Sequence, residues 1–457
     1  MRQSCGVSSS RVRRFAAAFD RVCHLGLRRR SQPKRVQNHP HWAGSIPFAL
    51  PFATVGLPGG LLPRIPNLST TVGTMPSSVF SRLAHRIAAI KGERYPLHVG
   101  DTWMEPPVGA RMEDLTVADH PGLHRYPPPT GHPPLLQALA AHRGVSVDRI
   151  LVTLGATGAW HAVAGATLEP GEEVLVLAPY WPLFPGIVRS VGGRPVDVPF
   201  YDAAAFVPGS SRSAIPTPEE AVARAATHLT ERTVALYLNS PSNPTGAVLP
   251  PAVLQALAQF ARAHDLWIWA DEVYELYSYG PDVVPISTFA PERTFSAFSF
   301  SKAHGLAGCR VGYVVTPDRP NMRGALRKMA MHASYAAPLP SQLAACAILE
   351  PTIGPPWVAH AKASYQAAGN AAADRLLLPR PQGGTFLFVD VSRGLLDHEE
   401  DPLHEFLVRC VDRGLVLAPG LSSGHPYTHH VRLCFTSAPP DVVARGVEVL
   451  AELLDLS

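Results

Sequence analysis

Ser299, Ser301, Lys302 and Arg310 fall within a short run that reads Ser-x-Ser-Lys-x7-Arg-x-Gly and closes at Gly312. A lysine alone carries no message, since most lysines are solvated surface groups. Two hydroxyls and a guanidinium close together can hold a dianionic phosphate, the guanidinium through paired hydrogen bonds. Lys302 is then an amine beside a fixed anion, placed to react with a carbonyl on the same ligand. Whether that chemistry exists depends on partners elsewhere in the chain.

Five other stretches supply candidates, each with a plainer reading beside it. In TLGATGAW, Gly155, Ala156 and Thr157 fall where a strand turns into a helix, and free N–H groups there make an anion site. An ordinary strand–helix turn has the same composition. In APYWPLF, Trp181 follows a strand and either stacks on a flat ligand or belongs to the core. NSPSNPTG is a tight turn whose X-Pro bonds are open to the cis form. Asn243 there can aim its amide at a ligand oxygen, or simply serve the turn. In WIWADEVYELY, Asp271 ends an apolar run with Tyr274 just beyond; a carboxylate buried there needs a cationic partner, whereas a helix cap does not. In HHVRLCF, Arg432 lies among apolar residues and is either structural or a clamp for a carboxylate.

The elements that must position these residues alternate. RILV, EEVLVLA, TVALYLN, LWIWAD and TFSAFS read as strands, and each ends in polar or special residues. TPEEAVARAATHL and PAVLQALAQFARAHD read as helices between them. Strands alternating with helices predict an α/β sheet covered on both faces, with ligands gathered at the strand ends. The last hundred or so residues add PLHEFLVRCVDRG and DVVARGVEVLAELLDL, helices of a smaller α+β unit. The expected division is a large domain over 112–340 and a small one over 341–457, with 75–111 packing against the latter.

Composition sets limits on the rest. The chain has 457 residues and a net charge of +4, but residues 1–74 carry eleven Lys/Arg against the single acid Asp20. The remainder is therefore net acidic, and a nucleic-acid reading built on the whole-chain charge fails. Residues 1–74 show no clear period. They read as a disordered extension, an Arg-rich targeting peptide, or sequence upstream of a start at Met75. PSSVFSRLAHRIAAI, just after Met75, is expected to be a capped amphipathic helix. No apolar run reaches membrane-spanning length without proline or glycine. The six cysteines (Cys5, Cys23, Cys309, Cys346, Cys410, Cys434) lack any paired spacing, which suits a reducing compartment.

Taken together and in this order, the motifs Asn-Pro-Thr-Gly (243–246), Asp-x-x-Tyr (271–274) and Ser-x-Ser-Lys-x7-Arg-x-Gly resemble those of the class I/II aminotransferases, the fold-type-I pyridoxal-phosphate-dependent enzymes. The resemblance runs from Met75 to the C-terminus. It implies a mostly parallel seven-stranded sheet sandwiched by helices, a smaller α+β domain, and pyridoxal 5'-phosphate as cofactor. It further implies that Lys302 carries the cofactor as a Schiff base and later shuttles the proton. Asp271 would pair with the pyridine nitrogen, Asn243 and Tyr274 would bond the ring hydroxyl oxygen, and Trp181 would stack on the ring. Gly155, Ala156, Thr157, Ser299, Ser301 and Arg310 would hold the phosphate. Arg432 would bind the substrate α-carboxylate, with Gly100, Asn243 and Trp181 on the substrate side. Tyr126, in HRYPPPTGHPP, matches a tyrosine that reaches the phosphate of a neighbouring subunit, which implies a homodimer with shared sites.

The implied reaction is ping-pong transfer of an amino group from an L-amino acid to a 2-oxo acid, in the cytoplasm or, if the tail is a targeting peptide, in an organelle. Lyases and amino-acid oxidases or hydroxylases of the same fold use the same residues, and the fold does not choose between them. A regulator built on the fold would be expected to carry a DNA-binding domain ahead of it, and the irregular tail does not read as one. The pattern also breaks in places. In LHVGDTWMEPP, Gly100 holds its place but Asp101, Thr102 and Trp103 replace the usual run. Trp103 either narrows the substrate pocket, acts as a hydrophobic lid, or packs as a loop aromatic. No second arginine for a distal carboxylate is identifiable. His425, His429 and His430 suggest a metal less well than a solvated loop, since no acid or thiol accompanies them.

Overall fold

The apolar runs come together as one seven-stranded sheet. Its strands are β1 (Ile150–Thr153), β2 (Glu173–Ala178), β3 (Arg194–Pro199), β4 (Thr233–Asn239), β5 (Trp267–Asp271), β6 (Thr294–Ser299) and β7 (Gly312–Val315). Across the sheet the order is β1-β7-β6-β5-β4-β2-β3. All neighbours are parallel except at β7, which runs against both β1 and β6. The computed structural model describes residues 67–456 apart from 76–79, 281, 397 and 426. The basic segment 1–66 lies outside the described residues.

A sheet with both faces covered needs strands that are apolar throughout, and β2 is buried at every position. Each Val or Leu fully withdrawn from water there contributes about 1.5–3 kcal/mol. The covering helices include α1 (Pro133–Arg143), α2 (Gly155–Thr167), α3 (Phe184–Ser190), α4 (Pro218–Ala226) and α5 (Pro251–Ala263). Helix α4 shows why local sequence starts a helix where it does. Glu220 N–H donates to Thr217 Oγ1 at 3.2 Å, and Thr217 N–H donates to the Glu220 carboxylate at 3.0 Å. That reciprocal cap satisfies two otherwise free donors.

A second core forms around an antiparallel sheet of order β9-β10-β8, made by β8 (Phe386–Asp390), β9 (Ala418–Pro419) and β10 (His430–Cys434). Helices α6 (Gly354–Arg375), α7 (Pro402–Asp412) and α8 (Pro440–Leu453) contribute buried residues to this core. No helix among the described residues is long and apolar enough to cross a membrane.

Three expectations need correction. The helix expected directly after Met75 is only Ala84–Ala89 among the described residues, and Leu83 at its start provides no side-chain cap. Residues 80–83 instead form a turn, closed by Leu83 N–H donating to Phe80 O at 3.0 Å. The end of the segment read as shapeless is a short helix, Thr70–Thr74, whose first turn is capped by Ser69 Oγ accepting from Thr71 N–H at 3.2 Å. Finally, His430 is not a solvated loop residue. It is buried on β10 with its ring stacked on Phe388, while His425 and His429 are exposed.

Candidate active site

The strand order places the carboxyl ends of β1, β4, β5 and β6 on one edge of the sheet. Each of these strands runs straight into a candidate stretch: Gly155 after β1, Asn243 beyond Asn239 at the close of β4, Asp271 closing β5, Ser299 closing β6. They open into one cavity of about 270 Å³. Gly100, Ala156, Thr157, Trp181, Asn243, Asp271, Tyr274, Ser299, Ser301, Lys302, Arg310 and Arg432 all line it, which gathers nearly every candidate read from the sequence.

Two candidates stand outside that lining. Gly155 lies beneath it as the first residue of α2, with φ +64°, a conformation that glycine adopts without strain. A Cβ there would come 3.0 Å from Arg310 Nη2, so the missing side chain lets the guanidinium approach the start of the helix. Tyr126 is 85% exposed, its ring packs edge-on against Tyr335 at 5.0 Å, and it does not line the cavity of its own chain.

Asp271 is the polar centre. It is buried, and its Oδ2 accepts from Tyr237 Oη at 2.8 Å and from Trp160 Nε1 at 3.3 Å. Its Oδ1 is buried without a hydrogen-bond partner. Burial pushes this carboxyl up to about 6, and the Tyr237 and Trp160 donors are the first of the effects that hold it down. The cationic contact expected for Asp271 is therefore not supplied by an ion pair within the described chain. Two neutral donors stand on one oxygen and leave the other free.

Lys302 is half-buried, and its ammonium donates to the Gly100 carbonyl. Desolvation is the largest influence on it and lowers its pKa, with Asp101 and Cys434 acting in the opposite sense and Arg432 and Arg310 adding to the lowering. Arg432 is buried on β10. It donates through Nη1 to Asn243 Oδ1 at 3.0 Å and through Nη2 to His98 O at 2.8 Å, lies 4.5 Å over the Phe386 ring, and leaves Nε without a partner. Burial lowers its pKa as well. A buried guanidinium with an unpartnered donor has capacity for an anion. Burial keeps the Tyr274 hydroxyl above its ordinary range, so it stays protonated.

The loop 100–103 is pinned to the C-terminal strand region. Trp103 N–H donates to Thr436 O at 2.8 Å, and Thr436 Oγ1 donates to Asp101 O at 2.6 Å. Trp103 itself is 39% exposed and does not line the cavity. Sequence reasoning missed Leu183, Asn239 and Val273 in the lining, and Tyr237 and Trp160 as the partners of Asp271. Only Asn239 carried a signal, as the polar end of a strand. The two aromatics sit in apolar runs that read as core, which they also are.

A family model described as aminotransferase class I and II matches residues 97–450. The chain is 32% identical over 350 residues to a probable aspartate/prephenate aminotransferase of Thermus aquaticus, an alignment covering 73% of this chain and 84% of that one. It is 33% identical over 356 residues to an arginine–pyruvate transaminase of Pseudomonas aeruginosa, covering 74% and 84%. Among solved structures, a single mutant of the aspartate aminotransferase of Thermus thermophilus superposes with a TM-score of 0.75 at 28% identity, covering 85% of this chain and all of that one.

Proposed function

The chain belongs to the class I and II aminotransferases, and from that membership we propose that its cavity holds pyridoxal 5'-phosphate on Lys302 and works in a homodimer. The enzyme moves an amino group from an amino acid to a 2-oxo acid. The observation that carries the cofactor reading is the pairing, in one cavity, of a desolvated lysine amine with a buried carboxylate that has one oxygen free. A protonated ring nitrogen answers that oxygen, and an aldehyde answers the amine. The remaining residues fit the group too. The N–H groups at the start of α2, the Ser299 and Ser301 hydroxyls and the Arg310 guanidinium suit its phosphate. Trp181 suits its ring face.

When bound, the cofactor supplies an electron-accepting ring conjugated to the substrate Cα. This chain's residues supply the rest. Asp271 holds the proton on the ring nitrogen, and its ionised form is needed for that. Arg432 orients the α-carboxylate, with Asn243 Oδ1 fixing the guanidinium in turn. Lys302 Nζ would take the proton from the substrate Cα and give it to the cofactor's former aldehyde carbon, across the transferred nitrogen, which requires the neutral amine that desolvation favours. Tyr126 supports the dimer reading, since its ring is largely exposed and does not line the cavity of its own chain.

The experiment is a visible spectrum of the purified protein during addition of pooled amino acids and then of a 2-oxo acid. A yellow band that bleaches with amino acid and returns with oxo acid supports the reading, and splitting the pool identifies the donor. Lys302→Ala is expected to bind cofactor without turnover; ordinary turnover in that variant removes the assignment.

A further inference from the structure

A larger cavity, of about 400 Å³, lies beside the candidate active site, and of the residues assigned to that site only Ser299 lines it. Its lining comes from the end of α1, the segment after β5, the residues that follow Lys302, and the long helix α6; Val273 and Ser299 line both cavities. Much of its wall is apolar, with Leu276, Phe300, Ile348 and Val358 among the contributors. Three polar groups in it lack partners. Glu272 is 5% exposed, and its carboxyl forms no hydrogen bond or ion pair among the described residues. His304, 8% exposed, leaves Nδ1 without a hydrogen bond. Lys362, on α6, makes no hydrogen bond or ion pair among the described residues either.

The other cation there is already committed. Arg143 forms a two-pronged ion pair with Glu275, donates through Nε to Tyr313 Oη at 2.7 Å, and lies 3.7 Å over the Phe298 ring. Three of its five N–H donors are thus engaged, and it cannot turn to Glu272 without breaking that pair. A buried carboxyl without a partner is costly and calls for an explanation. One cavity thus presents an unpaired carboxyl, an unpaired ammonium and apolar walls between other committed groups.

We propose that this cavity is a second amino-acid site: a small α-amino acid with an apolar side chain sets its ammonium on Glu272 and its carboxylate on Lys362, with its hydrocarbon against the apolar wall. Burial, with Glu275 nearby, pushes Glu272 up to about 8, so without a cation beside it the carboxyl is protonated at neutral pH. Arrival of an ammonium ionises it, and binding releases a proton. Burial holds His304 down to about 3, so its imidazole adds no competing positive charge.

The test is equilibrium dialysis of the cofactor-loaded protein with radiolabelled 1-aminocyclopentane-1-carboxylate, an apolar amino acid with no Cα hydrogen to lose. Two molecules per chain are expected in the wild type. Lys362→Met and Glu272→Gln are each expected to weaken one of the two at least roughly tenfold, the loss of a charge-assisted contact. Lys362 is half-buried on a helix face, so its substitution leaves the fold in place even if Glu272→Gln does not. Arg432→Leu is expected to remove the other molecule. One molecule per chain in the wild type, or two bound undiminished in both cavity variants, overturns the proposal. Failure of the Arg432 assignment reads differently: Arg432→Leu then keeps both molecules while the cavity variants still lose one.

Discussion

Tyr237→Phe removes a single oxygen from the Asp271 environment. The ring remains, still stacked on Phe184 within the core between α3 and β4. The 2.8 Å bond from Tyr237 Oη to Asp271 Oδ2 disappears, and only Trp160 Nε1 at 3.3 Å still donates to that oxygen. A hydrogen bond to a charged acceptor contributes about 1.5–3 kcal/mol, equivalent to roughly one to two pKa units. Asp271 in the cofactor-free protein has its pKa raised to about 6 by burial. The variant is therefore expected between about 7 and 8.

The sign follows from which form is useful. The ionised carboxylate pairs with a protonated ring nitrogen, so affinity for the cofactor is full above the free-protein pKa and is lost as pH falls through it. At pH 7 the ionised fraction drops from about nine-tenths in the wild type to between about a half and a tenth in the variant. The assay is a spectroscopic titration of cofactor-free protein with pyridoxal 5'-phosphate from pH 5 to 9. The cofactor's own ionisations are common to both proteins, so the difference between the two curves is the readout. The variant's midpoint is expected to lie higher by roughly one to two units, with the two affinities converging near pH 9. Coincident midpoints would refute the claim that Tyr237 sets the charge of Asp271.

Arg432→Leu is expected to raise the KM for the amino acid by roughly two powers of ten, as expected for loss of a charge-assisted carboxylate contact, and unchanged saturation kinetics would remove that role. Gly155→Ala places a methyl 3.0 Å from Arg310 Nη2 on a residue at φ +64°, so cofactor affinity is expected to fall several-fold with little change in the substrate KM; equal affinity in a direct titration would argue against the phosphate assignment. Glu272→Gln bears on stability. Burial raises this carboxyl from 4.5 to about 8, so the folded protein holds a proton that the unfolded chain releases, and wild-type stability falls as pH rises from 4.5 to about 8. The glutamine variant lacks that loss, worth up to roughly 4–5 kcal/mol, so in chemical denaturation its stability relative to wild type should be greater at pH 8.5 than at pH 5. A pH-independent difference would show that Glu272 titrates normally.

Much of the site was legible because a mostly parallel sheet puts the carboxyl ends of its strands on one edge. Asn243, Asp271, Ser299 and Lys302 each followed a recognisable apolar run, and the runs became β4, β5 and β6. Polar residues at the end of a buried strand stand out against it. The partners of Asp271 did not stand out, because Tyr237 and Trp160 are aromatics in apolar company and only the packing of α2 on the sheet turns their polar atoms toward one oxygen. The N-terminal helix was misjudged for the converse reason. Its apolar spacing extends over residues that fold as a turn at 80–83, and no capping side chain marks the true start at Ala84.

Asp271 and Glu272 show how little the residue type decides. They are adjacent carboxyls of nearly equal burial at the end of one strand. The first accepts bonds from Tyr237 and Trp160, feels the positive charge of Lys302, and stays at about 6. The second accepts none, feels the negative charges of Glu275 and Asp271, and rises to about 8 in spite of Arg143. Successive side chains along an extended strand point to opposite sides, and these two face different cavities. The end of β5 is thus a wall with a carboxyl on either side. Ionising Glu272 without a compensating cation would place a negative charge next to Asp271 and favour the protonated, unproductive form of that residue. An ammonium delivered to Glu272 cancels that charge as it appears. The second cavity can therefore fill without disturbing the ring-nitrogen contact, provided that its occupant is cationic at the Glu272 end.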